Sequence, residues 1–258
     1  MTTLATLMEF YTRINGDRSA PWLGQISDWI VIAILLLVML FILRSYDKSL
    51  QQKSYITRLQ ILLAIHVLFR YIIHREHYSF YELLPLYSCS VVAILLPAMY
   101  FNDKRTQETE AIYTWSAFAG IYGGALAIFL SAPSEYNPFH IINTDYYVGH
   151  FLILIIGVLF VRSRPEPFSK RALKQSMEIT LLYLVICLIL NPIIDGNYAF
   201  LSNVPKGMTL FNGVPLPIYQ IMVIGGYLLA NYLTWFFSNI FLNKKLQNSR
   251  ELSGSVQN

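Results

Sequence analysis

The sequence is poor in charge and in cysteine. Asp, Glu, Lys and Arg make up 13% of the 258 residues, whereas 55% are hydrophobic, and this balance excludes an ordinary soluble domain of this length. The two cysteines, Cys89 and Cys187, both lie inside apolar segments. They exclude a secreted disulfide framework and leave open one bridge between them inside a membrane. The composition therefore indicates an integral membrane protein.

The sequence also lacks the short motifs of several common chemistries. It has no Gly-rich phosphate-binding loop, no zinc-type cysteine pairs and no lysine in the middle of its last apolar segment. We therefore expect no metal, no other cofactor and no ATP-driven or retinal-type chemistry. The net charge of +4 fits membrane topology and contact with anionic lipid, so membrane lipids rather than nucleic acid are the expected partners.

Separate apolar runs, divided by short polar loops, predict an all-α fold: a polytopic membrane bundle of about seven transmembrane helices. The predicted spans are 26–43, 56–73, 84–101, 111–130, 146–161, 177–194 and 216–241. The fifth span is short for a full crossing, and an upstream extension through 143–147 would lengthen it. Close helix packing is predicted at the glycines of the fourth and seventh spans, Gly120, Gly123, Gly124, Gly225 and Gly226.

Basic residues set the predicted orientation and domain limits. Most Lys and Arg residues lie in the first, third and fifth loops and in the C-terminal segment, and loops rich in these residues resist translocation. The N-terminus is therefore predicted to lie outside and the C-terminus in the cytoplasm. Residues 1–246 are predicted to form a single transmembrane domain, and the polar residues 247–258 a disordered cytoplasmic tail.

Ionisable side chains inside a predicted span are candidates for a functional site, because each is costly in hydrocarbon. In the second span His66, Arg70 and His74 are four residues apart, which places them on one helix face toward the outer end. Two alternatives remain open for Arg70. Its guanidinium either extends to the outer headgroups or pairs with a carboxylate such as Glu82 or Asp195.

The third and fifth spans bring a thiol and an imidazole toward the same outer boundary. Pro85 suits a first helical turn and places Cys89 about one turn deeper. His150 lies within one or two turns of the start of the fifth span, and Gly149 beside it could admit a close ligand or backbone. Each residue has a plainer alternative: Cys89 as a small packing residue, and His150 as an imidazole satisfied by a neighbouring helix.

The sixth span adds Asn191 and Asp195, again four residues apart, with Asn197 and Tyr198 in the loop that follows. Asn191 could instead bond another helix, and Asp195 could be a solvated helix end. Because three helices deliver polar groups to similar depth, a shared outward-facing cavity is predicted.

This set suggests acyl transfer through a thioester. Cys89 would attack an ester, and His150 would act as general base and then as general acid. The residues predicted to orient the imidazole, or to bind the oxyanion or lipid phosphate, are Arg70, Glu82, Asn191, Asp195, Asn197 and Tyr198.

Several of these segments resemble the YwaF-like family of bacterial integral membrane proteins over most of the chain. The resemblance rests on Leu-Pro-Leu-Tyr-Ser-Cys-Ser at 84–90, the aromatic fourth span from Tyr113 through Gly120, His150, Asn191, and Asn-Tyr-Ala-Phe-Leu at 197–201. Family members commonly carry His at the position of Tyr87. The family is similar to the eukaryotic transmembrane protein 164 group of phospholipid acyltransferases. The resemblance implies seven helices, a bacterial cytoplasmic membrane, and acyl transfer by Cys89 and His150.

The sequence is therefore compatible with three functions. The first is a membrane acyltransferase or transacylase that acts on phospholipid or a lipidated substrate near the outer leaflet. The second is a non-enzymatic transporter or lipid-binding protein, in which the same polar groups line an outward-facing cavity. The third is a scaffold subunit, in which the polar groups serve helix packing.

Overall fold

A computed structural model describes residues 26–48, 52–74, 84–101, 106–129, 141–205, 209–211 and 213–255. Within these ranges the chain forms seven α-helices and two 3₁₀ turns. The α-helices are α1 (Ile26–Lys48), α2 (Gln52–His74), α3 (Ser88–Phe101), α4 (Gln107–Phe129), α5 (Ile141–Ser163), α6 (Lys170–Ile194) and α7 (Leu216–Ser255), and the 3₁₀ turns are Tyr198–Phe200 and Thr209–Phe211.

The helical membrane bundle predicted from composition is confirmed. Six helices of the described chain, all except α3, are long and apolar enough to cross a membrane. α1, α2 and α7 carry large apolar side chains that the protein leaves exposed, including Phe41, Leu68 and Phe237. Such side chains are expected to contact lipid, because protein does not cover them. The orientation of the termini and the single-domain division stay predictions.

The third predicted span is the exception, because its helix is shorter than predicted. α3 has 14 residues, about 21 Å of helix against a hydrocarbon layer of roughly 30 Å. Pro85 lies in a turn before α3, where Leu86 N–H donates to Leu84 O at 2.8 Å. The predicted placement of Pro85 in the first helical turn is therefore wrong. Proline fixes φ and lacks an N–H, properties that suit this turn equally well.

The upstream extension of the fifth span is confirmed, since α5 begins at Ile141 and has 23 residues. α7 continues as helix over residues 247–255, which belong to the segment predicted to be a disordered tail; the division at residue 246 stays a prediction. Gln247 donates to Glu251 at 3.1 Å there. Once a long helix is formed, each further residue propagates it without a new nucleation cost. Residues 256–258 lie outside the described residues.

α4 and α5 form the centre of the bundle, and glycines bring their backbones into contact. A Cβ added at Gly120 would lie 2.8 Å from Ile153 O, and one at Gly157 would lie 2.7 Å from Ala117 O. Packing was therefore the correct prediction for α4. It was wrong for Gly225 and Gly226 of α7, where an added Cβ would meet nothing within 4 Å.

A buried hydrogen-bond network joins α4, α6 and α7 behind this centre. Trp115 Nε1 donates to Thr180 Oγ1 at 3.0 Å, and Ser176 Oγ donates to Asn231 Oδ1 at 2.7 Å. Asn231 Nδ2 donates to Thr180 Oγ1 at 2.9 Å. Since these buried polar groups satisfy one another, the network fixes how the three helices pack.

The two ends of the bundle differ in the helix termini and the residues that lie there. We call the end where α1 and α5 finish and α2, α4 and α6 begin the basic end. Arg162 pairs there with Asp47, and Arg164 pairs with Glu110. The opposite end, where α2 and α6 finish and α3 and α5 begin, is called the site end, because most of the predicted site residues lie there.

Candidate functional site

The first turn of α3 places Cys89 at the site end. Cys89 is the second residue of the helix, not one turn deeper. Ser90 N–H and Val91 N–H both donate to Tyr87 O, at 2.8 and 3.0 Å, so the backbone bonds described for this turn begin at Ser90. Amide groups that precede the first helical bond point out of the helix, and their partial positive charge stabilises a thiolate or an oxyanion.

Arg70 lies beside this helix start. Its Nη1 donates to Ser90 Oγ at 3.3 Å, one residue beyond Cys89. The guanidinium is also within electrostatic reach of both the Cys89 thiol and the His150 imidazole. A fixed positive charge at this point is suited to a thiolate, an oxyanion or a lipid phosphate.

His150 is held by its own helix. The ring nitrogen Nδ1 lies 2.7 Å from Tyr146 O, and the Tyr146 ring packs on the imidazole with centroids 4.2 Å apart. A carbonyl oxygen can only accept a hydrogen bond, so Nδ1 carries the proton in the neutral imidazole. The lone pair is therefore on Nε2, so this nitrogen can accept a proton as a general base.

α4 brings the thiol and the imidazole residue to one place in the bundle. A Cβ added at Gly123 would lie 3.3 Å from Cys89 Sγ, and one added at Gly124 would lie 2.6 Å from His150 O. Cys89 and His150 thus pack against consecutive residues of the same helix. The hydrogen bond described for the imidazole goes to Tyr146, and a direct Cys89–His150 pair stays a prediction.

A buried histidine–carboxylate pair lies next to these residues. His66 Nε2 is 3.5 Å from Asp145 Oδ1, and the two side chains are only 11% and 6% exposed. His66 reaches this position over Gly149, where an added Cβ would lie 2.6 Å from Nε2. Gly149 was predicted to admit a close ligand or backbone, and the group that it admits is the His66 side chain.

The predicted residues of the sixth span hold the loop that follows α6. Asn191 is buried; its Nδ2 donates to Tyr198 O at 3.0 Å, and its Oδ1 accepts from Tyr198 N–H at 2.9 Å. Asn197 Oδ1 accepts from the backbone N–H groups of Ser202 and Asn203. These contacts give both asparagines a structural role, and a role in orienting His150 or binding substrate stays a prediction.

The same loop is strained where it covers the start of α3. Ala199 and Phe200 have φ of 54° and 57°, a region that costs a side-chain-bearing residue about 1–3 kcal/mol. Tyr198 is buried with its ring 4.9 Å from that of Tyr87. The Asn191 bonds and the Tyr198 burial therefore offset this strain and hold the loop against Tyr87.

The remaining predicted carboxylates are Asp195 and Glu82, of which the structure describes only Asp195. Asp195 is exposed and ends α6 in the left-handed conformation, with its N–H donating to Asn191 O. Glu82 lies outside the described residues, and so does the side chain of His74. In the described part of the chain the hydrogen bond of Arg70 goes to Ser90, so its predicted carboxylate pair with Asp195 is not observed.

Both cysteines are free thiols, which settles the open question of a bridge between them. Cys187 is buried in a separate apolar cluster with Leu184 and Tyr198. Among the residues that the structure describes, no group of three His, Cys, Asp or Glu side chains could hold a metal ion.

Sequence reasoning missed Asp145 as a member of the site. The predicted fifth span began at 146, which left this carboxylate in a loop, whereas α5 begins at Ile141. Ser90, the partner of Arg70, was also missed. The available signal for Asp145 was its position five residues before His150, within the predicted upstream extension of the fifth span.

The fold and this cluster define a multi-pass helical membrane protein with ionisable groups gathered at one end of its bundle. The sequence model of the TMEM164 family matches residues 21–235. The chain therefore belongs to the TMEM164 family. No curated protein and no solved structure matches the chain.

Proposed function

We propose that this protein is a membrane acyltransferase or transacylase that uses Cys89 as nucleophile. The observation that carries the proposal is the position of Cys89 in the first turn of α3, with Arg70 bonded to the next residue, Ser90. The substrate is a phospholipid or a lipidated molecule at the outer leaflet of a bacterial cytoplasmic membrane. Membership in the TMEM164 family supports this class of reaction, and the resemblance to the YwaF-like family supports the location.

In the first half-reaction the Cys89 thiol attacks an acyl ester. Nε2 of His150 takes the thiol proton as sulfur bonds to the carbonyl carbon. When the carbon–oxygen bond to the leaving group breaks, the imidazolium returns that proton to the departing lyso-lipid oxygen. The products are a Cys89 thioester and an alcohol, so atoms and protons balance without a further reactant.

The second half-reaction runs the same steps in reverse with a new acceptor. A hydroxyl group of a second lipid gives its proton to His150 and attacks the thioester carbonyl. The acyl group moves to the acceptor, and the proton returns to the Cys89 sulfur. Water as acceptor would give hydrolysis instead, so an apolar surrounding such as this one favours transfer between lipids.

The charges around Cys89 support the proposal. The first-turn amides of α3 and the Arg70 guanidinium both favour negative charge, and this charge develops first on the sulfur and then on the carbonyl oxygen. The bond from Nδ1 to Tyr146 O leaves the His150 lone pair on Nε2. These groups are held before substrate arrives, and the reaction needs little reorganisation of them.

One observation favours the second candidate, a non-enzymatic carrier. The buried His66–Asp145 pair is of the kind that binds and releases a proton on a transport path. A carrier requires Asp145 and His66 but not the thiol. Replacement of Cys89 therefore separates the two functions.

The test is the trapping of the thioester. The full chain is placed in nanodiscs of phosphatidylglycerol and phosphatidylethanolamine with isotope-labelled acyl chains, quenched in acid and weighed by intact mass spectrometry. We expect one hydroxylamine-sensitive acyl group on the wild type and none on Cys89→Ala. His150→Ala should acylate at least about 100-fold more slowly, the usual loss for a general base.

Cys187→Ala is the matched control, because it removes the other thiol of the chain. It should acylate like the wild type. Lipid profiles of host cells that express each variant at equal levels provide the second readout. The proposal is overturned if wild type and Cys89→Ala show the same acyl mass increase, or none in either, and the same lipid profile.

A further inference from the structure

The His66–Asp145 pair has no place in the proposed reaction so far. Its carboxylate lies on α5, the helix that carries His150, and its imidazole comes from α2, the helix that carries Arg70. Asp145 and Gly149 are four residues apart and share one face of α5. The His66 ring fills the space over Gly149 and faces Asp145, so it connects the two helices directly before His150.

Charges of both signs surround the reacting groups: Arg70 is within electrostatic reach of both Cys89 and His150, and His66 and Asp145 are within reach of His150. Arg70 is within electrostatic reach of the Cys89 thiol, where negative charge develops. Asp145 is within electrostatic reach of His150, where positive charge develops during proton transfer. Transfer of a proton from thiol to imidazole inside a membrane creates two charges that are costly to form there unless each has a partner.

We propose that Asp145 is a positioning residue for this reaction: its carboxylate, held by His66 over Gly149, stabilises the imidazolium of His150 while Cys89 is a thiolate or is bonded in the tetrahedral intermediate. The inference rests on the proposed function, because it assigns a role within the Cys89 reaction. Asp145 does not exchange protons with the substrate. It lowers the free energy of the charged intermediate relative to the neutral resting state.

Several titratable or charged groups surround this cluster and must be considered in any pH measurement. They are His66 and Arg70 from α2, Cys89 from α3, Tyr122 from α4, Asp145, Tyr146 and His150 from α5, Tyr183 from α6, and Tyr227 from α7. The tyrosines stay neutral near neutral pH in an apolar surrounding, so the charge balance there depends on the histidines, Arg70, Asp145 and Cys89.

The experiment uses the Cys187→Ala background, in which Cys89 is the sole cysteine. Two rates are measured in nanodiscs across a range of pH: acylation of Cys89 by lipid, and alkylation of Cys89 by iodoacetamide. Alkylation requires a thiolate but no lipid chemistry. It therefore reports on the charge pair even if no acyl transfer takes place.

We expect Asp145→Asn to slow both rates by about tenfold at neutral pH, the effect of losing one Coulombic contact between partly buried charges. Both rates should recover at alkaline pH, where the thiolate forms without help, and the dependence on lipid concentration should not change. Asp145→Glu keeps the charge and should restore much of the rate. A purely structural role would give neither the pH recovery nor this rescue.

Glu110→Gln is the matched control, because it removes a carboxylate that pairs with Arg164 at the basic end. It should leave both rates as in the background. The proposal is overturned if Asp145→Asn behaves like Glu110→Gln at neutral pH. If the background protein never acylates, the proposed function fails, while alkylation still decides the role of Asp145.

His66→Gln provides a second variant in case Asp145→Asn does not insert into the membrane. It leaves the carboxylate in place but removes the ring that holds it. We expect a smaller slowing of alkylation that also recovers at alkaline pH. An unchanged alkylation rate in a folded His66→Gln protein would also overturn the proposal.

Discussion

The two ends of the bundle use arginine differently. At the basic end Arg162 pairs with Asp47, and Arg164 pairs with Glu110 while its guanidinium lies 4.4 Å from the Phe168 ring centroid. At the site end Arg70 donates to the hydroxyl of Ser90. Among the described residues the first two arginines pair with carboxylates, whereas the third bonds a neutral hydroxyl group.

This difference fits the proposed function. Paired charges at the basic end join helix termini, and Lys245 adds to them by donating to Arg162 O at 2.8 Å. A guanidinium that bonds a hydroxyl keeps most of its electrostatic potential for another anion. In a membrane that anion would be a thiolate, an oxyanion or a phosphate. The comparison therefore separates an end where the described arginines are paired from an end that the proposed function makes reactive.

The largest effect is expected from replacement of Arg70, the arginine at the site end. Arg70→Gln should slow acylation of Cys89 by about 100-fold, because one stabilising donor for the developing negative charge is lost. Its unfolding free energy should change little, since a glutamine amide can still bond Ser90. Both quantities can be measured on one preparation, by thioester trapping and by SDS titration in mixed micelles.

Arg164→Gln is the counterpart at the basic end. It should lower the unfolding free energy by about 1–2 kcal/mol, through loss of the Glu110 pair and the Phe168 contact. Acylation should stay at the wild-type rate. Equal losses of rate in the two variants would contradict the separation between the ends.

The next effect concerns the glycines that bring α4 and α5 together at the site end. Gly124→Ala should lower the unfolding free energy by about 2 kcal/mol, because the new methyl group would lie 2.6 Å from the His150 carbonyl oxygen and force the helices apart. It should also slow acylation, since His150 would move. SDS titration and thioester trapping measure the two losses.

Gly226→Ala is the control for helix propensity. An added Cβ there meets nothing within 4 Å, so the unfolding free energy should stay equal or rise by up to about 1 kcal/mol. If both alanine variants were equally stable, close packing of α4 on α5 would not be a source of stability.

The smallest effect is expected at the basic end, where Asp47 pairs with Arg162. The Asp47 side chain is 45% exposed, so water and salt screen the pair. Asp47→Asn should lower the unfolding free energy by only about 0.5 kcal/mol, and less at high salt. The comparison is SDS titration at two salt concentrations. A loss of several kcal/mol would show that this pair is a main support of α1.

Much of the fold followed from composition and periodicity, because a membrane span must be a long apolar helix. Seven helices are described near the predicted positions, six of them long and apolar enough to span a membrane, and the upstream start of α5 was predicted as well. The boundary of α3 was not, since Pro85 is compatible with a turn and with a first helical turn. That error displaced Cys89 by about one turn, and it hid the helix start that gives the thiol its electrostatic surrounding.

The candidate site stays a prediction, but the end of the bundle where its residues lie was predicted in part. Arg70, Cys89 and His150 do collect at one end, as the shared depth of polar residues indicated. Asn191 was singled out correctly as a buried polar residue, but its contacts lie within the following loop. Spacing along one helix gives the face of a side chain, not the partner that another helix supplies.

The sequence by itself determined that this protein is a helical membrane bundle and that several ionisable residues of its spans lie toward one end, because the cost of polar groups in hydrocarbon acts on each segment separately. Only the tertiary structure decided that His66 pairs with Asp145, that Arg70 bonds Ser90 at the start of α3, and that Cys89 and His150 meet adjacent glycines of α4. These contacts join residues from different helices, and they depend on how closely the backbones approach and how each helix is rotated, which no single segment encodes.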